Sequence, residues 1–207
     1  MLESLTSLIL LCTSLFSAIW LLHRHKQAVE AHHYRVRVFA LSCLFISSYA
    51  LCQLLLRDPG SHTGTLLQMT ENLSIYVALP FIATVFVALA KGWHWSMAGW
   101  GRWLLGLIAF FELTRRTDYG ISYSYTLSIL VLLALLFSLL LIKPVTARLL
   151  LAAGTLLLAG ATLLFNPLPL LMTQGHSAGF MLLLAFSLPL LSASLDQQLK
   201  SSPVTDQ

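Results

Sequence analysis

The sequence YSYTLSILVLLALLFSLLLI, residues 123–142, contains 20 amino acids and no charged side chain. An α-helix of this length rises about 30 Å, the thickness of the hydrocarbon core of a bilayer. The run is also too uniformly apolar for a helix on the surface of a soluble protein, which keeps one polar face. It predicts a helix that crosses a membrane, and similar runs recur along the chain.

The composition of the whole chain agrees with a lipid environment. Of its 207 residues, 57% are hydrophobic and 10% are charged, and the mean hydropathy is +0.81. A soluble domain carries roughly a quarter charged residues, so this chain has too little polar surface to cover a water-soluble globule. Its 12 Lys and Arg residues form no continuous basic stripe, which argues against a nucleic-acid partner. We predict the lipid bilayer as the partner, with other membrane subunits as further candidates.

Seven membrane spans are predicted from the apolar runs. They cover approximately residues 5–22, 36–56, 71–90, 99–117, 121–142, 147–165 and 177–195. Together they form a single all-α transmembrane domain over residues 1–195, and residues 196–207 are predicted to be a disordered cytoplasmic tail.

The fourth span is the irregular one. Only residues 103–114 lie between Arg102 and Arg115, and they already include Glu112. Twelve residues rise about 18 Å, so this helix can cross only if polar residues lie below the membrane surface at one end.

The distribution of basic residues predicts the orientation of the chain. With seven crossings, nine Lys and Arg residues fall on one face of the membrane and three on the other. The nine are Arg24, Lys26, Arg35, Arg37, Lys91, Arg102, Lys143, Arg148 and Lys200, and the three are Arg57, Arg115 and Arg116. Because short cytoplasmic loops collect Lys and Arg, we predict the N-terminus outside and the C-terminus in the cytoplasm. The compact chain is typical of a bacterial protein of the cytoplasmic (inner) membrane.

Two groups of residues allow a binding and a structural interpretation. His23, His25, His32 and His33 lie in one predicted cytoplasmic loop, and imidazole binds zinc, copper, iron and nickel. Their spacing matches no stringent motif, so we predict a solvated loop and no metal or cofactor, with metal or haem binding as the alternative. The four tryptophans within residues 93–103 are interpreted as an aromatic belt at the membrane interface, with ligand stacking as the alternative.

Two further patterns concern the packing of the helices. Pro80 and Pro189 lie inside the third and seventh runs, where each removes a helix hydrogen bond and favours a kink. The small residues of the sixth run predict a close helix-packing face. They are Ala153, Gly154, Ala159, Gly160 and Ala161.

Polar residues gather at the predicted outer end of the fourth helix. Glu112 lies three and four residues before Arg115 and Arg116, so a continuing helix would place all three on one face. Charged groups within a membrane are costly unless paired or hydrated, which makes them candidates for a functional site. The candidate ligand-binding residues are Glu71, Asn72, Tyr76, Glu112, Arg115, Arg116, Asp118, Tyr123 and His176. A merely structural polar network is the alternative.

Three functions are compatible with these residues. The leading hypothesis is the binding or passage of a small polar or anionic ligand, or of a lipid headgroup, through an outward-facing pocket. Arg115 and Arg116 would attract the ligand, and Glu71 and Glu112 would orient them. The second hypothesis is a non-catalytic assembly or partner subunit of a larger membrane complex, and the third is an intramembrane enzyme. No catalytic residues are predicted, because Gly-x-Ser-x-Gly, His-Glu-x-x-His and paired intramembrane Asp residues are absent from the sequence.

Overall fold

The computed structural model describes residues 2–26, 30–56, 61–115, 120–165 and 177–201, and every regular element in these ranges is helical. The helices are α1 (Leu2–Arg24), α2 (Glu30–Leu55), α3 (Ser61–Asn72), α4 (Leu79–Ala90), α5 (Met97–Arg115), α6 (Gly120–Leu141), α7 (Val145–Gly160) and α8 (Ser177–Ser201). Two π-helical segments continue the chain: Leu73–Ala78 joins α3 to α4, and Ala161–Phe165 follows α7. The predicted all-α fold class is confirmed.

Six helical stretches are long and apolar enough to cross a membrane. They are Leu2–Arg24, His33–Leu55, Thr63–Ala90, Ser122–Leu141, Val145–Phe165 and Ser177–Ser201. Many large apolar side chains on these helices point outward, among them Phe16, Ile19, Leu133, Leu140 and Leu156. Such a surface is compatible with a multi-pass membrane protein, in which acyl chains cover it. The irregular fourth span corresponds to α5, which is not one of the six.

The first and last helices run parallel to each other. Near their starts, the hydroxyl of Ser177 donates a hydrogen bond to the carboxylate of Glu3 over 2.9 Å. Near their ends, Nε of Arg24 lies 3.0 Å from Oδ1 of Asp196. We therefore name the two ends of the bundle the Glu3 end and the Asp196 end.

Helix α1 packs closely against both α2 and α8. The buried face of α1 carries mostly small or hydroxyl side chains at helical spacing, which lets neighbouring helices approach closely. This face consists of Thr6, Ser7, Leu10, Ser14, Ser17, Ala18 and Leu21. The hydroxyls of Ser14 and Ser47 are 2.7 Å apart, which places the middle of α1 against the middle of α2. On the other side of α8, a Cβ added to Gly154 of α7 would lie 2.9 Å from a methyl group of Leu191. The predicted close-packing face is thus confirmed at Gly154, whereas Ala153 is exposed.

The third predicted span begins earlier than its apolar run. Helix α3 starts at Ser61, ten residues before the predicted start at residue 71, and residues 61–90 form one continuous helical rod. The π-helical segment ends two residues before Pro80. Proline cannot donate to the carbonyl four residues earlier, and a π turn changes the hydrogen-bond register at that point. The predicted distortion near Pro80 therefore takes the form of a π-helical segment.

The turn between α4 and α5 is fixed by glycine and by a buried arginine. Gly92 has a φ of 68° and donates to the carbonyl of Leu89, while Trp93 donates to the carbonyl of Ala88. This pair of bonds closes a helix with a residue in the left-handed conformation, which glycine adopts at low cost. Arg35 of α2 is buried and donates to the carbonyl of Trp93 over 2.6 Å. Helix α2 therefore fixes the position of the turn that precedes α5.

Helix α5 runs back along the preceding rod towards the Glu3 end. Nε1 of Trp103 donates to Oγ1 of Thr84 over 3.1 Å, and further along α5 the ring of Phe111 stacks on Tyr76 at 4.4 Å. Its other main neighbour is α6, so α5 lies at the periphery of the bundle.

Helix α8 extends beyond the predicted end of the last span. The sequence predicts a disordered tail from Asp196, but α8 continues to Ser201. The extension is explained by tertiary contacts. Asp196 is buried against the end of α1, so contacts with α1 stabilise the last turns of α8 in addition to the hydrogen bonds of the helix itself. Residues 202–207 lie outside the described residues.

Candidate ligand pocket

A cleft between α3 and α5 lies in the half of the bundle nearer the Glu3 end, and we call it the α3–α5 cleft. Its volume is about 250 Å³. It is lined by Thr65, Gln68, Met69, Asn72, Leu73, Val77, Ile108, Phe111 and Glu112. The four lining residues of α3 have the spacing of a single helix face, so α3 presents a continuous row of mainly polar side chains to the cleft.

The lining combines one polar wall with one apolar wall. The amides of Gln68 and Asn72 can both donate and accept hydrogen bonds, and the carboxylate of Glu112 accepts them. Val77, Ile108 and the neighbouring apolar side chains form the remainder. A cavity with a few polar groups set in apolar surroundings is the usual form of a small-molecule site.

Two of the predicted site residues, Tyr76 and Tyr123, lie behind the cleft wall. The ring of Tyr76 stacks on Phe111 at 4.4 Å and lies 5.9 Å from the ring of Tyr123. Its hydroxyl donates to Ser124 of α6 over 3.2 Å. These aromatic residues join α5 to α6 and support Phe111, which does line the cleft.

Glu71 is not among the residues that line the cleft, and its predicted role beside Glu112 stays a prediction. It lies close enough to Tyr49 of α2 to interact with it electrostatically. Tyr49 is buried and accepts a hydrogen bond from the amide of Gln53 over 3.4 Å. Successive residues of a helix point about 100° apart, so with Asn72 in the cleft, Glu71 faces α2 instead.

The structure describes only some of the remaining predicted residues. Asn72 and Glu112 line the cleft. Arg116, Asp118 and His176 lie outside the described residues, as does the side chain of Arg115. The attracting role of the two arginines therefore stays a prediction.

Several cleft residues were not predicted from the sequence. Thr65, Gln68 and Met69 precede the apolar run that set the predicted start of the third span. Their spacing with Asn72, at intervals of three, four and seven residues, is the signal that would have extended the helix. Ile108 carries no such signal, because any apolar residue of α5 could have faced lipid.

A second polar cluster, around Asp196 at the opposite end of the bundle, was not predicted either. The side chain of Asp196 is 3% exposed. Its Oδ1 lies 3.0 Å from Nε of Arg24 and 3.0 Å from Nε2 of His25, and its Oδ2 lies 2.7 Å from Nζ of Lys200. The pairing of Asp196 with Lys200 four residues later could have been recognised as a helical ion pair. The cluster joins the ends of α1 and α8.

The predicted histidine loop is only partly described. His25 contacts Asp196, His23 is exposed, and the side chain of His32 lies outside the described residues. Across the part of the chain that the structure describes, no group of three or more His, Cys, Asp or Glu side chains is arranged to hold a metal ion.

The tryptophans between α4 and α5 pack on one another. Trp95 lies 4.9 Å from Trp100 and 6.4 Å from both Trp93 and Trp103, measured between ring centres. Trp100 also contacts Phe81 of α4, edge to face. This mutual packing fits an interfacial aromatic cluster that holds the start of α5.

The fold and the cleft define an all-helical protein with six helices long and apolar enough to cross a membrane. No protein-family model matches the chain, and neither does any curated protein or solved structure. The function is therefore inferred from the cleft, the packing and the charge distribution.

Proposed function

We propose that this chain is a seven-span protein of a bacterial cytoplasmic (inner) membrane that binds a lipid headgroup or a small polar ligand in the α3–α5 cleft. The Glu3 end faces outward and the Asp196 end faces the cytoplasm. The cleft then opens in the outer half of the membrane. The excess of Lys and Arg in the loops at the Asp196 end supports this orientation.

The parallel arrangement of α1 and α8 supports seven crossings. If α5 did not cross, the chain would cross six times, and its first and last helices would run antiparallel. The contacts of Glu3 with Ser177 and of Arg24 with Asp196 require them to be parallel. Helix α5 also follows the preceding rod from the level of Thr84 to that of Tyr76.

The observation that carries the binding proposal is the two-sided lining of the cleft. The amide and hydroxyl groups of α3 and the carboxylate of Glu112 on α5 suit a polar headgroup, and the apolar wall suits the first carbons of an acyl chain. Gln68 and Met69 are exposed, so the cleft is accessible from the side of the bundle. The volume of about 250 Å³ is below the roughly 300–1,000 Å³ of drug-sized pockets, which favours a headgroup or a similarly small ligand.

Packing in the centre of the bundle favours binding over passage. Leu10, Phe39, Phe86 and Leu188 are fully buried there and come from four different helices. Close-packed interiors hold few voids larger than a water molecule. The ligand therefore occupies the side of the bundle.

A pair of tryptophan substitutions on α3 tests the proposal. Gln68→Trp should fill the cleft, whereas Leu66→Trp adds the same ring at an exposed position two residues away that does not line it. The proteins are purified in mild detergent, and the co-purified lipids and small molecules are identified by mass spectrometry. We expect a species that is present at about one per chain in the wild type and in Leu66→Trp and is lost from Gln68→Trp.

The opposite result would overturn the binding proposal. Identical co-purified species in all three proteins, each with an unchanged melting temperature, would mean that the cleft holds no ligand. The partner-subunit hypothesis would then be the stronger one.

A further inference from the structure

A second concave site lies in the other half of the bundle, between α2 and α5, and we call it the α2–α5 groove. Its volume is about 190 Å³. It is lined by Tyr34, Arg37, Val38, Leu41, Phe81, Met97, Trp100, Gly101 and Leu104. None of these residues lines the α3–α5 cleft, so the two sites are separate.

The groove is built from matching faces of two parallel helices. Its α2 residues are 34, 37, 38 and 41, and its α5 residues are 97, 100, 101 and 104, so each set has the spacing of one helix face. Seven residues of helix rise about 10 Å, which sets the length of the groove. Phe81 and Trp100, both buried, form its floor. Gly101 leaves it open, because a Cβ at this position would meet no atom within 4 Å.

The groove is polar at one end and apolar at the other. Tyr34 and Arg37 lie in the first turns of α2, at the Asp196 end, whereas Leu41 and Leu104 lie one turn deeper. Arg37 is exposed, and it forms no hydrogen bond or ion pair with another residue in the described ranges. The groove therefore has a cationic mouth and a hydrophobic interior, the form that an amphiphile with an anionic head requires.

We propose that the α2–α5 groove binds one anionic phospholipid, with its phosphate on Arg37 and part of one acyl chain along Leu41, Phe81 and Leu104. The guanidinium can donate two parallel hydrogen bonds to a phosphate. The groove opens on the side of the bundle, where lipid is the surrounding solvent. Arg102 and Lys91 are further cations at this end of the bundle, and they favour an anionic headgroup over a zwitterionic one.

Lipid titrations of the purified full-length protein test the headgroup preference. Native mass spectrometry would count the lipids retained after addition of dioleoyl phosphatidylglycerol or dioleoyl phosphatidylcholine. We expect saturable binding of one phosphatidylglycerol per chain and weaker binding of phosphatidylcholine. Glycerophosphoglycerol, which is the headgroup without acyl chains, should not compete, because the groove recognises the chain as well. Equal binding of the two phospholipids would overturn the proposal.

Two charge variants test the role of Arg37. Arg37→Gln should weaken phosphatidylglycerol binding about tenfold, as expected for the loss of one charge-assisted contact. Arg102→Gln is the matched control, since Arg102 is also an exposed cation of this end with no ion pair to another described residue, but it does not line the groove. This control should change the affinity less than about twofold, because the attraction between Arg102 and a lipid in the groove is long-range and screened by salt. Equal losses in the two variants would show diffuse attraction to the membrane surface and would overturn the proposal.

Two glycine variants test the groove itself. Gly101→Leu places a side chain in the groove, and Gly106→Leu places the same side chain on α5 outside it, where a Cβ also meets nothing within 4 Å. Both positions have space for a Cβ, and leucine is a better helix former than glycine, so both proteins should keep their melting temperature. We expect Gly101→Leu to lose the bound phosphatidylglycerol and Gly106→Leu to keep it. If Gly101→Leu folds and still binds phosphatidylglycerol as the wild type does, the proposal is contradicted. If Gly101→Leu does not fold, the comparison of Arg37→Gln with Arg102→Gln tests the proposal instead.

Discussion

At the scale of single residues, Asp196 shows how this chain tolerates a buried charge. A carboxylate taken out of water is stable only when it is paired and hydrogen-bonded. Asp196 contacts Arg24 and His25 at the end of α1 and Lys200 one turn later on α8. Because Arg24 and Lys200 are nearly half exposed, they can be rehydrated if the carboxylate is removed, which limits the cost of its removal.

We expect Asp196→Asn to lower the free energy of unfolding by about 1.5–3 kcal/mol, the range for hydrogen bonds to charged groups. Thermal unfolding in detergent measures the change. Glu3→Gln is the matched control, because Glu3 joins α1 to α8 at the other end but is exposed. It should cost about 0.5 kcal/mol or less, as surface substitutions do. Equal effects of the two substitutions would show that the Asp196 cluster does not hold these helices together.

At the scale of helices, glycine decides how closely α7 approaches α8. The position of Gly154 leaves no space for a side chain, since Leu190 and Leu191 of α8 lie against it. A Cβ added at Gly106 of α5 would meet no atom within 4 Å, so the same substitution is free of clashes there. The two positions separate a packing effect from the intrinsic preference of glycine.

Gly154→Ala should therefore destabilise the protein by about 1–3 kcal/mol, the usual cost of overpacking a core. Gly106→Ala should stabilise it, by up to about 1 kcal/mol, because alanine is the better helix former. Unfolding of both variants in the same detergent measures the difference. A stabilising effect of Gly154→Ala would mean that α7 and α8 are not in close contact.

The helices differ in how far the sequence could predict them. The apolar runs predict where the long helices lie, because the length and hydrophobicity of such a run are enough to indicate a membrane-crossing helix. Contacts with other helices are not needed for this prediction. The polar first half of the third rod, residues 61–72, and the end of α8 were missed, since contacts with other helices support them. Glu71 is not among the residues that line the cleft, and its direction could not be read from the apolar run that follows it. The π-helical segment changes the helical phase, so the direction of an α3 side chain does not follow from the phase of α4.

At the scale of the whole molecule, α5 decides both the number of crossings and the shape of the cleft. This helix is not among the six stretches that are long and apolar enough to cross a membrane, and it provides Ile108, Phe111 and Glu112 to the α3–α5 cleft. The sequence predicts its crossing from the distribution of basic residues, and the parallel arrangement of α1 and α8 supports it. If α5 lay along the surface instead, the ends of all later helices would change sides and the cleft would lose one wall.

The most direct test is to fuse, at four positions of the chain, a reporter enzyme that is active only outside the cytoplasm. Fusions after Arg57 and after Asp118 should be active, and fusions after Arg35 and after Lys143 should be inactive. The comparison of Arg57 with Asp118 tests α5, since the helical rod of residues 61–90 is long and apolar enough to cross, and both fusion points then lie outside only if α5 crosses as well. An active fusion after Arg57 together with an inactive one after Asp118 and an active one after Lys143 would contradict the seven-span topology and the outward-facing cleft with it.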